Sequence, residues 1–181
     1  RGTFPDLRRA SPAVTGAVRR HILSIAVEDY FQAGAFSGLI SSRHWHRFDH
    51  RVEGNTHRAL DLLDQHGVKA TFFALGWVAE HMPHVLREIV RRGHEVASKG
   101  YMHRRLQDMT VHEFRDDARR SRDLIEQTTG ERVLGYRVAR GHLGPKDLWA
   151  LDVLAEEGYV YDSSFFPRGR SLGGQTWRSS E

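Results

Sequence analysis

The sequence predicts an α/β domain built on a parallel sheet, in the form of a distorted and apparently truncated (β/α) barrel. Three observations lead to this prediction: short apolar runs alternate with segments of helical periodicity, a glycine closes most of the helical segments, and 39% of the 181 residues are hydrophobic, enough for a core. Strands that alternate with helices pair in parallel through βαβ crossovers. A closed barrel of eight strands needs about 250 residues, so we expect either an open sheet or a truncated, distorted barrel whose last strands are missing.

Five short apolar runs, rich in β-branched and aromatic residues, are predicted to form the strands. Runs of this length and composition are typical of strands that are buried on both faces of a parallel sheet. They cover residues 21–27, 68–75, 94–98, 132–136 and 159–161.

Four segments with apolar residues at helical spacing are predicted to form the crossover helices. They cover residues 56–66, 78–92, 110–128 and 145–157, while residues 30–50 are expected to be irregular. Thr110 and Glu113 have the spacing of a capping box at the start of the longest helix, and Pro145 suits the first turn of the last one. The glycines that follow the four helices can adopt the left-handed conformation of a C-cap: Gly67, Gly93, Gly130 and Gly158.

The net charge of +4 lies entirely in the first twenty residues, which contain five arginines and one aspartate. The rest of the chain is neutral, whereas a nucleic-acid-binding domain needs a basic face on its folded part. We therefore expect residues 1–20 to be a flexible basic leader, without the apolar segment of a secretory signal, and residues 21–181 to be one domain that does not bind nucleic acid. No apolar run of about 18 residues predicts a membrane span. The lack of cysteine excludes disulfides, thiolate metal sites and a cysteine nucleophile.

Polar side chains follow four of the predicted strands, at the edge of a parallel sheet where functional loops collect. A carboxylate, a histidine, an arginine and a further carboxylate at this edge are typical of a hydrolytic site, with a metal possible. Polar residues also cap strands and helices at this edge in any α/β protein, so spacing alone leaves a purely structural role open. The residues are Glu28 and Asp29, then Lys99 to His103, then Arg137 and residues 140–142, then Asp162, Ser163 and Ser164.

Six stretches of the chain together resemble the polysaccharide deacetylases with the NodB homology domain, and most closely the subgroup associated with exopolysaccharide loci. The resemblance covers residues 21–174 and implies a distorted (β/α) barrel that removes N-acetyl groups from a carbohydrate polymer. The stretches are residues 27–32, 51–53, 67–73, 93–98, 135–137 and 161–164.

The resemblance also implies a set of site residues. In this family a divalent metal, usually zinc, is held by one carboxylate and two histidines spaced i, i+4; it polarises the acetamide carbonyl while an aspartate activates water. The carboxylate ligand matches Glu28 and the second histidine ligand matches His103. Arg137 matches the arginine that orients the base, and Asp162 lies in the loop that forms one wall of the substrate groove.

Several positions depart from the family pattern. Ala26 stands where the aspartate base belongs, Lys99 stands in place of the first histidine ligand, and Ala139 replaces the proline of an Arg-x-Pro motif. The histidine that protonates the leaving amine would lie beyond Glu181. Three functions therefore stay open: an active deacetylase, an inactive relative that binds carbohydrate or acts as a scaffold, and a fragment of a longer enzyme.

Lys99 bears directly on the metal. An ammonium at a ligand position repels a cation, by about 4 kcal/mol for two unit charges ~4 Å apart at an effective dielectric constant of ~20. We therefore predict that Lys99 pairs with Glu28 and replaces the positive charge of the metal. The alternative is that Lys99 points to solvent and leaves a weak site with two ligands.

The remaining candidates are expected to have structural or surface roles. His44, His46 and His50 beside Asp49 could form a second metal site, but solvated polarity is the simpler interpretation. Asp116 and Asp117 lie in an arginine-rich helix and are predicted to form ion pairs along it. Two histidines are expected on the surface, two tryptophans in the core, and a third tryptophan is a candidate for stacking on sugar rings: His81, His84, Trp77, Trp149 and Trp177.

Overall fold

The computed structural model describes residues 21–36 and 38–165, and it contains a five-stranded parallel sheet. The spatial order is β1-β2-β3-β4-β5, so each crossover adds the next strand beside the previous one. The α/β class and the parallel pairing predicted from the sequence are confirmed. The strands are β1 Ser24–Val27, β2 Thr71–Ala74, β3 Glu95–Ser98, β4 Gly135–Tyr136 and β5 Tyr161–Asp162.

Five α-helices connect and cover these strands. Their inward faces supply most of the core, including Leu60, Leu86, Ile89 and Ile125, which are fully buried. The helices are α1 Val52–Gln65, α2 Gly76–His81, α3 Pro83–Arg91, α4 Val111–Thr129 and α5 Trp149–Glu156. Short 3-10 helices occupy Tyr30–Gln32, Gly34–Phe36, Ser42–Arg47, Leu106–Asp108 and Pro145–Asp147. In the described ranges, none of the helices is long and apolar enough to cross a membrane.

The longest helix begins and ends as its sequence predicts. The Thr110 hydroxyl accepts a hydrogen bond from the Glu113 amide at 3.2 Å, and the Glu113 carboxylate accepts one from the Thr110 amide at 2.8 Å. Hydrogen bonds donated to the Glu113 carboxylate by the amide and hydroxyl of Thr110 and by Arg104 lower the pKa of Glu113 to about 2. The helix ends at Thr129 and is capped by Gly130, whose φ of 75° is the left-handed conformation that glycine adopts without strain.

The predicted helix over residues 78–92 is wrong as a single element, because the chain forms α2 and then α3. Pro83 has no amide hydrogen and its ring excludes the preceding helical turn, so α2 ends at His81 and α3 restarts with the proline at its first position. The last predicted helix also divides: Pro145 starts a 3-10 turn, and α5 follows at Trp149.

Helix α1 begins at Val52, four positions before the predicted start. The cause is a contact between distant parts of the chain: the buried carboxylate of Asp29 accepts hydrogen bonds from the amides of Arg51 and Val52 at 2.9 and 3.3 Å. These two amides are donors that a helix start otherwise leaves without partners. Asp29 therefore has a structural role, although it lies next to the candidate ligand Glu28.

The two faces of the sheet differ. Val27, Phe72 and Val96 lie on the helix-covered face and are buried, whereas Ala26 on the opposite face is exposed. This opposite face forms a hollow of about 520 Å³ lined by Ser24, Thr71, Phe73, Glu95, Arg137, Tyr161, Asp162 and others, which we call the open face. Within the described residues β1 and β5 are the two edges, and the sheet does not close into a barrel.

Candidate functional site

Three side chains from two neighbouring loops meet on one carboxylate oxygen. Glu28 follows β1, Lys99 follows β3, and His103 lies four residues further along the same loop. The Lys99 ammonium is 2.5 Å from Glu28 Oε2, and His103 Nε2 is 3.1 Å from the same oxygen. The side chains of Lys99 and His103 are 7% and 5% exposed, and that of Glu28 is 22% exposed. We call these three residues the Glu28 cluster.

The predicted contact between Lys99 and Glu28 is confirmed, and the alternative of a solvent-directed Lys99 is wrong. Burial alone would raise the pKa of Glu28, but hydrogen bonds from His103 and Lys99, with the positive charge of the lysine, lower it below its ordinary value. The carboxylate is therefore ionised at neutral pH. It holds both neighbours in place through charge-assisted hydrogen bonds.

Helix α4 holds the loop that carries His103 in place through the side chain of Asp117. The carboxylate of Asp117 accepts hydrogen bonds from the amides of Tyr101 and Met102 at 2.8 and 3.3 Å. Burial raises the pKa of Asp117, although these hydrogen bonds oppose the shift. At the start of the loop Gly100 has a φ of 78°, and a Cβ added there would lie 2.6 Å from Asp117 Oδ2. The close approach of loop and helix thus requires a glycine.

The predicted ion pairing of Asp116 and Asp117 is wrong for Asp117. Asp116 does lie on the exposed side of α4, 3.3 Å from His112, but Asp117 turns inward. A signal for this was present in the sequence, because position 117 lies on the same helical face as Phe114 and Ser121, both fully buried. A carboxylate on a buried face indicates a hydrogen-bonding role.

We expect Asp117→Ala to destabilise the domain by roughly 2–3 kcal/mol, because it leaves two loop amides without an acceptor. Asp116→Ala removes the same group one position away on the exposed side, and we expect it to change the free energy of unfolding by less than about 0.5 kcal/mol. Urea denaturation of the two variants and the parent chain measures both values. Equal effects of the two substitutions would show that Asp117 does not support the loop.

Arg137 and Asp162 lie along the open face rather than in the Glu28 cluster. The Arg137 guanidinium donates to the hydroxyls of Ser24 and Ser163 at 2.9 and 2.7 Å, and its carbon lies 4.0 Å from the centre of the Phe73 ring. Asp162 accepts hydrogen bonds from the amide and hydroxyl of Ser164 at 2.8 and 2.7 Å, and burial raises its pKa. Arg137 thus reaches β1 two positions before Ala26, on the same side of the strand.

The other sequence candidates have structural contacts. Trp77 is buried in the core as predicted, and His81 stacks on it with 4.2 Å between ring centres. His50 lies 3.6 Å from the structural carboxylate of Asp29. Arg140 reaches the carbonyl of Gly34 at 3.3 Å. Within residues 21–36 and 38–165, no three metal-binding side chains gather into one group; Trp177 lies outside the described residues.

A family model described as polysaccharide deacetylase matches residues 42–161. The chain belongs to the polysaccharide deacetylase family. A peptidoglycan-N-acetylglucosamine deacetylase of Bacillus cereus is 35% identical over 98 residues, which are 54% of this chain and 36% of that protein.

Two examples show how this polysaccharide deacetylase domain resembles solved structures. One, from Mycobacterium smegmatis and assigned to the polysaccharide deacetylases, has a TM-score of 0.66 and 28% identity and covers 79% of this chain and 50% of its own. The other is a family 4 carbohydrate esterase pseudoenzyme from Bacillus anthracis, with a TM-score of 0.58 and 18% identity over 78% of this chain and 42% of its own, and it shares the fold. The matched region spans half or less of the length of these relatives.

The Glu28 cluster does not fit the divalent metal that is general in polysaccharide deacetylases. One oxygen of Glu28 already accepts from the Lys99 ammonium and from His103 Nε2. A metal on these residues would need a free lone pair on His103 and would meet a positive charge at close range. The Lys99 ammonium places a positive charge beside Glu28.

Proposed function

We propose that this polysaccharide deacetylase domain binds N-acetylated saccharide and does not carry out metal-dependent hydrolysis. The observation that carries the proposal is the contact of 2.5 Å between the Lys99 ammonium and Glu28. A buried ammonium at this point supplies a fixed positive charge and keeps the loops after β1 and β3 together. It does not provide an exchangeable coordination site for a substrate carbonyl.

The position matched to the base supports the same conclusion. Hydrolysis of an amide needs a group that takes a proton from water, and such a group typically contributes about 10²–10⁴-fold to the rate. Ala26 has only a methyl group, and it lies exposed on the open face. Arg137 matches the residue that orients the base. Its guanidinium instead donates hydrogen bonds to the hydroxyls of Ser24 and Ser163.

The class of ligand follows from the family and from the chemistry of its substrates. The relative from Bacillus cereus is named for its action on N-acetylglucosamine in peptidoglycan, and we propose an N-acetylated amino sugar for this chain. The alternative is an active deacetylase that acquires its metal through Glu28 and His103. That alternative is favoured by the presence of both residues at their matched positions.

The two functions differ in metal content and in product. We expect the purified chain, after dialysis against zinc followed by buffer, to hold well under one zinc per chain and to release no acetate from an N-acetylglucosamine tetramer, while binding the tetramer in calorimetry. The reason is the ammonium beside Glu28, which disfavours a dication. Atomic absorption and an acetate assay measure the first two quantities.

Histidine variants provide the control for this experiment. One zinc per chain that is lost in His103→Ala but kept in His84→Ala, together with zinc-dependent release of acetate, would establish the active deacetylase instead. His84 is suitable because its side chain is 54% exposed and pairs with Glu53 on the surface. If the tetramer fails to bind the parent chain at all, the binding function is overturned.

A further inference from the structure

A cavity of about 300 Å³ lies between the loop that follows β3 and the loop that follows β4. Two arginines and a histidine contribute to its lining: Arg105, Arg140 and His142. None of these three residues belongs to the Glu28 cluster, and none is a site residue implied by the family match. The loop after β4 is also where the chain departs from the Arg-x-Pro motif, because Ala139 replaces the proline directly before Arg140.

The two arginines stand side by side because their backbones pair. Arg105 and Arg140 form an isolated parallel bridge, a further contact between the loops beyond the ends of β3 and β4. Backbones paired in this way lie about 4.8 Å apart, and like charges placed opposite each other destabilise the pair. An anion between the two guanidinium groups removes this repulsion and accepts hydrogen bonds from both.

Different contacts place the two guanidinium groups. That of Arg140 reaches the segment after β1 and donates to the Gly34 carbonyl at 3.3 Å. A Cβ added at Gly34 would lie 2.8 Å from Arg140 Nε, so the guanidinium is seated against a residue without a side chain. The side chain of Arg105 is exposed and, among residues 21–36 and 38–165, has no hydrogen bond or ion pair. Its N–H donors are therefore available to a ligand.

The charges around the cavity favour an anion. Asp147 is the single carboxylate on the described lining, and its Oδ2 accepts hydrogen bonds from the Gly144 amide at 3.0 Å and from the Gln107 side chain at 3.3 Å. Asp147 balances one of the two arginine charges, so the net charge of the lining stays positive. His142 adds an N–H donor, because even a neutral imidazole carries one.

An exposed aromatic pair lies next to the arginines. Gly34, which Arg140 contacts, begins the turn Gly34–Phe36, and the Phe36 ring lies edge-on to that of Tyr30 with 6.4 Å between their centres. Tyr30 and Phe36 are 37% and 38% exposed. Partly exposed aromatic rings offer an apolar face on which a sugar ring can stack.

We infer that this cavity binds the anionic group of an acidic glycan, either the carboxylate of a uronic acid or a phosphate ester. Guanidinium groups bind both kinds of anion through paired N–H donors. The inference rests on the proposed saccharide-binding function and deepens it, because it makes an acidic polymer the preferred ligand of the domain. The arginine pair would supply this preference.

The test compares three probes on the parent chain by calorimetry. They are the neutral N-acetylglucosamine tetramer, the same tetramer carrying 6-phosphate groups, and a tetramer in which N-acetylglucosamine alternates with glucuronic acid. We expect at least one acidic tetramer to bind about tenfold more tightly than the neutral one at low salt, and this preference to shrink as salt is added. The acidic tetramer that shows the preference identifies the carboxylate or the phosphate as the ligand. Equal affinities for all three would overturn the anion site.

Arg105→Gln and Arg132→Gln test whether the cavity is the source of the preference. Arg132 is exposed, precedes β4 at the opposite end of the sheet and does not line the cavity. The ratio of the affinities for the acidic and neutral tetramers should fall about tenfold in Arg105→Gln and keep its parental value in Arg132→Gln. An equal fall in both variants would show that the preference comes from the net charge of the chain and would overturn the site.

Gly34→Ala provides a second variant that keeps every charge. Its methyl group displaces the Arg140 guanidinium, which is the end of a flexible side chain, so we expect the same ratio to fall about fivefold. A parental ratio in both Arg105→Gln and Gly34→Ala overturns the anion site, while binding of the neutral tetramer leaves the proposed function intact. If the parent chain binds none of the three tetramers, the proposed function is overturned and this inference with it.

Discussion

Ala26→Asp combined with Lys99→His is expected to raise zinc affinity by at least about a thousandfold over the parent chain. Lys99→His removes an ammonium whose repulsion costs about 4 kcal/mol even for a single positive charge ~4 Å away. It also adds an imidazole four positions before His103. The loop that carries positions 99 and 103 already brings the side chains of Lys99 and His103 into contact with Glu28. Ala26→Asp places a carboxylate on the side of β1 that Arg137 reaches through Ser24.

Zinc titration against a competing chelator measures the gain, with each single variant beside the double one. Lys146→His provides the matched control, because it makes the same exchange at an exposed position. We expect most of the gain from Lys99→His, since it both removes a charge and adds a ligand. An unchanged zinc affinity in the double variant would show that the Lys99 ammonium is not what keeps zinc from Glu28 and His103.

Lys99→Met is expected to lower the free energy of unfolding by about 3 kcal/mol, which is at the lower end of the ~3–5 kcal/mol typical for removing one partner of a buried pair. The lower end applies because Glu28 is partly exposed and retains His103. Adding Glu28→Gln should restore much of the lost unfolding free energy, because the double variant has no buried carboxylate left without its cationic partner. If the effects of Lys99→Met and Glu28→Gln were strictly additive, the two side chains would not stabilise each other. Lys146→Met is the control at an exposed lysine, and we expect it to leave the free energy of unfolding unchanged.

The loss caused by Lys99→Met should also depend on pH. The pKa of Glu28 in the folded parent chain lies below the ordinary value of 4.5, so its ion pair contributes fully above about pH 4.5 and is lost as the pH falls through the folded value. A protonated Glu28 is neutral, so the Lys99 ammonium no longer stabilises the fold through an ion pair with it. The difference in unfolding free energy between parent and variant should therefore narrow in acid, and urea denaturation between pH 3 and 7 measures it.

The types of the elements could be predicted from the sequence more reliably than their limits. Alternating apolar runs and helical spacings indicate which segments are strands and helices, because that pattern reflects which face each segment buries. The start of α1 could not be predicted, since its cap is Asp29, 22 residues before Arg51. The sequence shows Pro83, but the helical spacing continues on both sides of it, and this favours one helix where the chain forms two.

The site could be predicted where it depends on the ends of strands, and not where it depends on irregular chain. Glu28 and Lys99 follow strands of the same sheet, so their contact follows from the topology. Gly34 lies in a segment without periodicity, and nothing local indicates that it folds against Arg140 on the loop after β4. The helical face that Asp117 shares with Phe114 indicates that its side chain points inward. The arginines nearby in the sequence favour the ion-pair interpretation instead.

Each strand of the sheet pairs with the strand that follows it along the chain, and this has a consequence for the order of folding. Neighbouring units close short loops at low entropic cost, so the sheet can grow one unit at a time. Some contacts join units that are not adjacent in this order, among them Lys99 to Glu28, 71 positions apart, and Arg137 to Ser24, 113 positions apart. Because these contacts close long loops, we expect them to form after the intervening strands have paired. Contacts that form so late act mainly on the rate at which the native chain opens, and little on the rate at which it assembles.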